Sequence, residues 1–167
     1  MNPRERFKEN TDAFIRMIKD YPDEHFNTKP DEESWSAAEI AEHIYRSEFG
    51  ISKLFSGEKK VSEKLLSDQR VEKMEKIMLD TSRKAQAFGA IIPRGDLKTK
   101  EELTGKFREN REKILSAYDE SDQDDLCMNF EHPMFGYLTV REWLEFNVFH
   151  TLRHMKQMTA TLKNISK

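Results

Sequence analysis

The chain has 167 residues, with 28 basic and 31 acidic side chains and a net charge of −3. This length is enough to bury a core without cross-links, and the single cysteine excludes an internal disulfide, so we expect one domain over residues 1–167 and a cytoplasmic location. The sequence has no basic stripe and no apolar run near the ~20 residues that span a bilayer, which argues against nucleic acid and membranes as partners.

The first helix is predicted over roughly residues 3–21. Its apolar residues recur at spacings of three, four and seven: Phe7, Phe14, Ile15 and Ile18. Pro22 marks its end. Residues 23–35 contain proline and show no period, which predicts a connecting loop.

The second helix begins with a capping signal, Ser36-x-x-Glu39, and is predicted to run to about Ser56. Its apolar positions are Ile40, Ile44, Ile51 and Leu54. Gly57 is placed as a stop.

Residues 57–98 are predicted to form a long crossover that contains one helix. A helical apolar pattern occupies its middle, at Val71, Met74, Ile77 and Met78. Gly89, Pro93 and Gly95 then break the pattern. A four-helix bundle with one long connection between its second and third helices accommodates such a segment.

Two more capping signals open the third and fourth helices. Thr99-x-x-Glu102 begins a helix that runs to about Tyr118, with Leu103, Phe107, Ile114 and Leu115 as its apolar positions. Thr139-x-x-Glu142 begins the longest helix, which continues to about Asn164. No alternating pattern rivals these helices, so the predicted fold class is all-α.

Three histidines are the candidate metal ligands. His150 and His154 are four residues apart, so both project from one face of the last helix, and His43 lies on the inward face of the second. Three imidazoles with an open coordination position are typical of a catalytic zinc site rather than a structural one. The alternative is three hydrogen-bonded core histidines, because the H-x-x-x-H spacing also occurs by chance.

Other residues have secondary interpretations. Asn147 and Gln157 share the histidine face and are candidates for orienting the imidazoles or contacting substrate. Ser47 and Gly50 are small and would leave space beside His43. The remaining candidates are expected to have no role in the metal site. These are His25 and His132 in loops, Trp35 and Trp143 as core residues, Glu48 and Glu145 as solvated side chains rather than general bases, and Cys127 as an inert thiol.

The sequence resembles the DinB-like superfamily in two segments. One is the second-helix segment, Trp35-Ser36-x-x-Glu39-Ile40-x-x-His43-Ile44; the other is His132-Pro133-x-Phe135-Gly136-x-Leu138-Thr139-x-x-Glu142-Trp143 followed by His150-x-x-Arg153-His154-x-x-Gln157. The resemblance implies an up-down-down-up four-helix bundle, often a homodimer. It also implies that His43, His150 and His154 form a metal triad.

That superfamily includes bacillithiol and mycothiol S-transferases, a thiol-dependent isomerase and members described as metal-dependent hydrolases. We therefore expect a small-molecule substrate and one divalent ion, zinc before nickel or iron, that activates a low-molecular-weight thiol or water. The reacting group would be a metal-bound thiol or water, and no side chain is assigned as catalytic. Two alternatives stay open: a non-catalytic metal- or ligand-binding stress-response module, and structural histidines in a domain that works through protein contacts.

Overall fold

A computed structural model describes residues 1–62, 68–84, 86–87 and 89–167. The helices are α1 (Pro3–Asp20), α2 (Asp23–Phe26), α3 (Ala37–Glu48), α4 (Ile51–Ser56), α5 (Asp68–Leu79), α6 (Lys100–Asp119) and α7 (Val140–Ile165), with a 3₁₀ turn at Gly89–Ile91. Two short strands, β1 (Lys59–Lys60) and β2 (Leu126–Cys127), complete the described elements. The all-α prediction is confirmed.

The predicted helix starts are confirmed because their capping residues satisfy free backbone amides. Ser36 and Thr139 each accept a hydrogen bond from the third helical residue, whose glutamate side chain accepts one from the capping residue's N–H. At α6 the Thr99 side chain accepts from the Glu102 N–H. The predicted helix within the crossover is also present, as α5.

The second helix is shorter than predicted. It ends at Glu48, and a separate helix, α4, begins at Ile51. Glycine has poor helix propensity, and the Phe49 N–H bonds to the Arg46 carbonyl in a tightened turn just before Gly50. The prediction of one continuous helix to Ser56 was therefore wrong at this turn.

The first connection also contains more structure than predicted. Its short helix α2 carries Phe26, which is 2% exposed and packs near Tyr21, with ring centroids 6.0 Å apart. One buried aromatic residue without periodic neighbours gives no helical pattern. The connection was therefore predicted only as a loop.

The directions of the four long helices follow from two buried apolar clusters. The first cluster includes Phe7, Leu54, Ile114 and Phe149, and the second includes Phe14, Ile40, Phe107 and Met158. Helices α1 and α7 run from the first cluster to the second, whereas α3–α4 and α6 run from the second to the first. The bundle is therefore up-down-down-up, and α3–α4 lies parallel to α6, which is why the chain needs a long crossover.

A buried polar layer separates the two clusters. Its centre is Arg111 of α6, which is 1% exposed and bonds to Glu48 of α3 at 2.6 and 2.9 Å. The same guanidinium donates to Asn10 and Thr11 of α1 and to Thr151 of α7. This layer links all four long helices at the level where the bundle changes from one cluster to the other.

The crossover is attached to the bundle at its beginning and through its helix α5. After α4 its first residues pair antiparallel with the α6–α7 connection, with Lys59 opposite Cys127 and Lys60 opposite Leu126. Helix α5 packs on α7 through Met74 and Met78.

None of the described helices is long and apolar enough to cross a membrane.

Candidate metal centre

The three predicted histidines meet between α3 and α7. Nε2 of His43 lies 3.2 Å from Nε2 of His150, and Nε2 of His154 lies 3.1 Å from the same atom. Ligand atoms of all three residues lie within 4.8 Å of one another. Three nitrogens bound to one tetrahedral zinc ion at 2.0–2.1 Å would be about 3.3 Å apart, so the cluster can hold one metal ion.

In two of the rings, the hydrogen bond made by Nδ1 determines which nitrogen carries the proton. His43 Nδ1 lies 2.7 Å from the Ile91 carbonyl oxygen, which can only accept, so this nitrogen carries the proton. His154 Nδ1 lies 2.7 Å from Gln157 Oε1. Both neutral rings therefore direct an Nε2 lone pair at His150, whose own Nε2 can donate to only one of them. A cation satisfies all three nitrogens together.

The third ring has no such partner. His150 is 9% exposed, and its Nδ1 has no hydrogen-bond partner among the described residues. Asn147, one turn earlier in α7, is 1% exposed, and both polar atoms of its amide also lack a partner there. Buried polar atoms in native proteins are seldom left unpaired, so this part of the site is incomplete without a further group.

Burial keeps the triad neutral. It lowers the pKa of His43 and lowers that of His150 well below its usual range. Burial also lowers the pKa of His154 to about 3, with a smaller contribution from the charge of Arg153. At pH 7 all three imidazoles are therefore neutral, which is the form that binds a metal ion.

A cavity of about 520 Å³ opens beside the triad. The wall is formed by α3, α7, the crossover with its helix α5, and the connections before α3 and before α7. It includes Trp35, Met78, Phe146, Arg83, Lys84 and Arg153. Trp143 is buried as predicted, but Trp35 is only partly buried, and its ring lies 5.0 Å from that of His43. None of the described lining residues is an aspartate or glutamate.

The space expected beside Ser47 and Gly50 does not form this cavity. Neither residue is part of the described lining, and the Ser47 hydroxyl donates to the His43 carbonyl within its own helix. The cavity is bordered instead by the crossover, whose Ile91 carbonyl contacts His43. The prediction that Ser47 and Gly50 border the space beside the triad was therefore wrong.

His132 lies on the cavity wall but outside the metal cluster. Its Nδ1 accepts from the backbone N–H groups of Met134 and Phe135, in a turn where Gly136 has a φ of 71°. Its ring lies 4.7 Å from Phe146, which in turn stacks on His150. Burial lowers the pKa of His132 to about 4. His25 lies in α2, away from the triad.

Glu48 and Glu145 are neither solvated nor part of the cavity wall. Glu48 is 0% exposed and is paired with Arg111 in the polar layer. Glu145 is 2% exposed and accepts from Arg6 at 2.9 Å. Burial raises the pKa of Glu145, and the nearby charge of Arg6 opposes that rise. Expecting solvated side chains was wrong because both residues face neighbouring helices.

One site residue was missed from the sequence. The Glu42 carboxylate accepts hydrogen bonds from the backbone N–H groups of Arg94 and Gly95, each at 2.9 Å, and pairs with Arg46 at 2.7 Å. It thereby holds the crossover segment whose Ile91 carbonyl contacts His43. No spacing pattern relates residue 42 to residues 94 and 95, so only the folded structure identifies this role.

Comparisons with known proteins agree with this architecture. A crystal structure described as "TT2238, a four-helix bundle protein" superposes with a TM-score of 0.59 at 17% identity, covering 95% of this chain and 96% of that one. The YuaE protein of Bacillus subtilis (strain 168), named as uncharacterized, is 26% identical over 150 residues, which are 90% of this chain and 91% of the relative. A family model of the DinB superfamily matches residues 6–158, so the chain belongs to the DinB superfamily.

Proposed function

We propose that this protein is a metal-dependent enzyme that joins a low-molecular-weight thiol to an electrophilic small molecule. The observation that carries the proposal is the convergence of three neutral imidazole nitrogens, from His43, His150 and His154, at the end of a cavity large enough for such a molecule. The triad would be the ligand set, with an open position toward the cavity.

The donor set suits a divalent ion. His43 and His154 each donate their other ring N–H to an oxygen, from Ile91 and Gln157 respectively, as metal-ligating histidines usually do. Asn147 is proposed to contact His150 or the substrate once the site is loaded, because its amide and His150 Nδ1 both lack a hydrogen-bond partner among the described residues. Zinc is the proposed ion, and nickel and iron are the alternatives that imidazole ligands also accept.

Thiol transfer fits the cavity better than hydrolysis. A divalent ion held there would supply Lewis-acid activation of a thiol or of water at its open position. Many zinc hydrolases also use a glutamate as general base, and none of the described lining residues is a carboxylate. A thiol needs no such base, because its proton can pass to solvent before the reaction.

In the proposed transfer, the thiolate sulfur attacks the electrophilic carbon. A sulfur–carbon bond forms, the bond from that carbon to the leaving group breaks, and the leaving group departs with the electron pair. The chain's own residues would orient both reactants, with Phe146 and Met78 supplying apolar surface on the cavity wall. A cytoplasmic location and a homodimer complete the proposal; sedimentation tests the dimer.

The proposal is tested by turnover. Protein loaded with zinc, nickel or iron is incubated with a chlorinated nitroaromatic electrophile and a low-molecular-weight thiol, and release of chloride and formation of the thioether are followed. In parallel, a nitrophenyl ester reports hydrolysis. We expect many turnovers of the thiol reaction, lost in His150→Ala and kept in the surface variant Lys156→Gln.

The outcomes separate the alternatives. Ester hydrolysis without thiol transfer would favour the hydrolase. Saturation at one equivalent of ligand, with no turnover in any metal form, would contradict an enzyme and favour a sequestering module.

A further inference from the structure

The described part of the cavity wall beside the triad carries three cationic side chains and no anionic one. Arg83, Lys84 and Arg153 line it, and no aspartate or glutamate is among the described lining residues. The four histidines on the wall cannot offset this charge, because an imidazole side chain is either neutral or cationic. A ligand in the cavity therefore meets a net positive surface.

Arg153 provides a fixed part of this charge. Its guanidinium donates to the backbone carbonyls of Met78 and Asp80 at 3.0 and 2.9 Å, and also to that of Arg83. No carboxylate of the described residues lies within salt-bridge distance of it. These contacts hold the turn after α5 against α7 and orient the guanidinium, but no carboxylate in the described part of the chain neutralises it.

The other two cations lie on that same turn. Arg83 pairs with Asp80 at 3.3 Å, but both side chains are exposed, at 65% and 41%, so the pair is weak and leaves the arginine available. Lys84 makes no hydrogen bond or ion pair with another described residue. A ligand could therefore gain an ion pair here without breaking a strong one.

Most of the other described residues on the wall are apolar. They include Ile77 and Met78 of α5 and Phe146 of α7, and the same cavity is lined by the cationic turn and by the histidines. Such a wall favours a ligand whose polar groups lie at its two ends.

We propose that this cavity selects a small molecule with an anionic group, such as a carboxylate, placed against Lys84 and Arg83, while its other end reaches the histidine triad. The assignment of a thiol or electrophile to that other end rests on the proposed function. The anion preference itself rests on the cationic wall and does not require a metal ion.

Three thiols of similar reach test the preference because they differ mainly in charge. These probes are 3-mercaptopropionate (anionic), 2-mercaptoethanol (neutral) and cysteamine (cationic). Binding is measured by titration calorimetry at pH 7 and low salt, with zinc-free and with zinc-loaded protein. In the zinc-free protein a carboxylate cannot bind metal, so any preference there reports on the cationic wall.

We expect the anionic probe to bind about tenfold more tightly than the neutral one, since each exposed ion pair contributes up to about fivefold, and the preference to shrink at high salt. Lys84→Gln should weaken the anionic probe about threefold to fivefold and leave the neutral probe unchanged. Lys156→Gln is the matched control, because Lys156 is exposed on α7 and outside the described lining. It should change neither affinity.

Equal affinities for the three probes, a preference for cysteamine, or no detectable binding of 3-mercaptopropionate would overturn the inference. So would an anion preference that Lys84→Gln and Arg83→Gln leave intact. The metal content of the same samples is measured separately. Stoichiometric zinc without an anion preference would contradict this inference but not the metal site. An anion preference without metal uptake would support this inference and contradict the metal site.

Discussion

Glu42 and His43 are consecutive residues of α3, and their side chains contact the same crossover segment. Glu42 accepts from the backbone N–H groups of Arg94 and Gly95, while His43 Nδ1 donates to the Ile91 carbonyl at 2.7 Å. The carboxylate thus fixes the loop that orients the imidazole. Site geometry at α3 therefore depends on a residue that does not belong to the metal cluster.

Replacing Glu42 should weaken metal binding without removing a ligand. In Glu42→Gln the amide presents one N–H₂ group where an acceptor is needed, so one backbone N–H of the crossover loses its partner. We expect zinc affinity to fall about tenfold, the lower end for losing an outer contact of a metal ligand. Competition with a chromophoric chelator measures it, and Glu32→Gln, at an exposed loop position, is the control. Unchanged affinity would contradict the positioning role.

The same carboxylate should make stability depend on pH. Burial alone would raise the pKa of Glu42, but the N–H groups of Arg94 and Gly95 and the charge of Arg46 outweigh it, so the pKa is lowered from 4.5. The folded state therefore binds the proton less readily than the unfolded state. The stabilisation is fully present above about pH 4.5 and is lost as pH falls through the lower folded pKa.

This pH dependence is measured as the difference in unfolding free energy between wild type and Glu42→Gln, by urea denaturation from pH 3 to 7. We expect a constant difference above about pH 5.5, where the carboxylate is ionised in both states, and a shrinking one below pH 4.5. A difference that grows on acidification would mean that the sign of the pKa shift is wrong.

Removing only Arg111 from its buried pair with Glu48 should lower the free energy of unfolding more than replacing both residues. Arg111→Met leaves the Glu48 carboxylate buried at 0% exposure without its cation, and we expect a loss of about 3–5 kcal/mol in unfolding free energy. The double variant Glu48→Met, Arg111→Met removes both charges. It should be more stable than Arg111→Met in chemical denaturation; a double variant as unstable as the sum of the single variants would contradict this account.

Cys127 should be unreactive in the folded protein. It is 0% exposed, and burial raises its pKa to about 11, so very little thiolate exists at pH 8. Ellman's reagent should therefore react with the native protein far more slowly than with glutathione, and completely once guanidinium chloride unfolds the chain. Native reaction at the glutathione rate would show that the residue is accessible.

The sequence predicted best where local rules decide the structure. Capping pairs such as Ser36–Glu39 and Thr139–Glu142 act within one turn, so the starts of α3 and α7 were identified correctly. The histidine pair of α7 follows from helix geometry alone. The position of this pair next to His43 agrees with what the family resemblance implied. It required the histidine-bearing faces of α3 and α7 to point at the same place inside the bundle.

Contacts between distant segments were not predictable in the same way. The partners of Glu42 lie more than 50 residues away in a segment without helical period. The position of Arg111 in the sequence is informative, because the residue lies four residues after Phe107 and three before Ile114, on a largely apolar face. A charge at such a position needs a buried partner, but the sequence does not reveal that the partner is Glu48.

The most direct test of the account is metal content, measured by inductively coupled plasma mass spectrometry on untagged protein. Wild type is compared with the alanine variants of His43, His150 and His154, and with His25→Ala as the control outside the cluster. The account predicts about one divalent ion per chain in wild type and His25→Ala, and its loss in each triad variant. Wild type that takes up no zinc, nickel or iron, or a His150→Ala variant that retains stoichiometric metal, would contradict it.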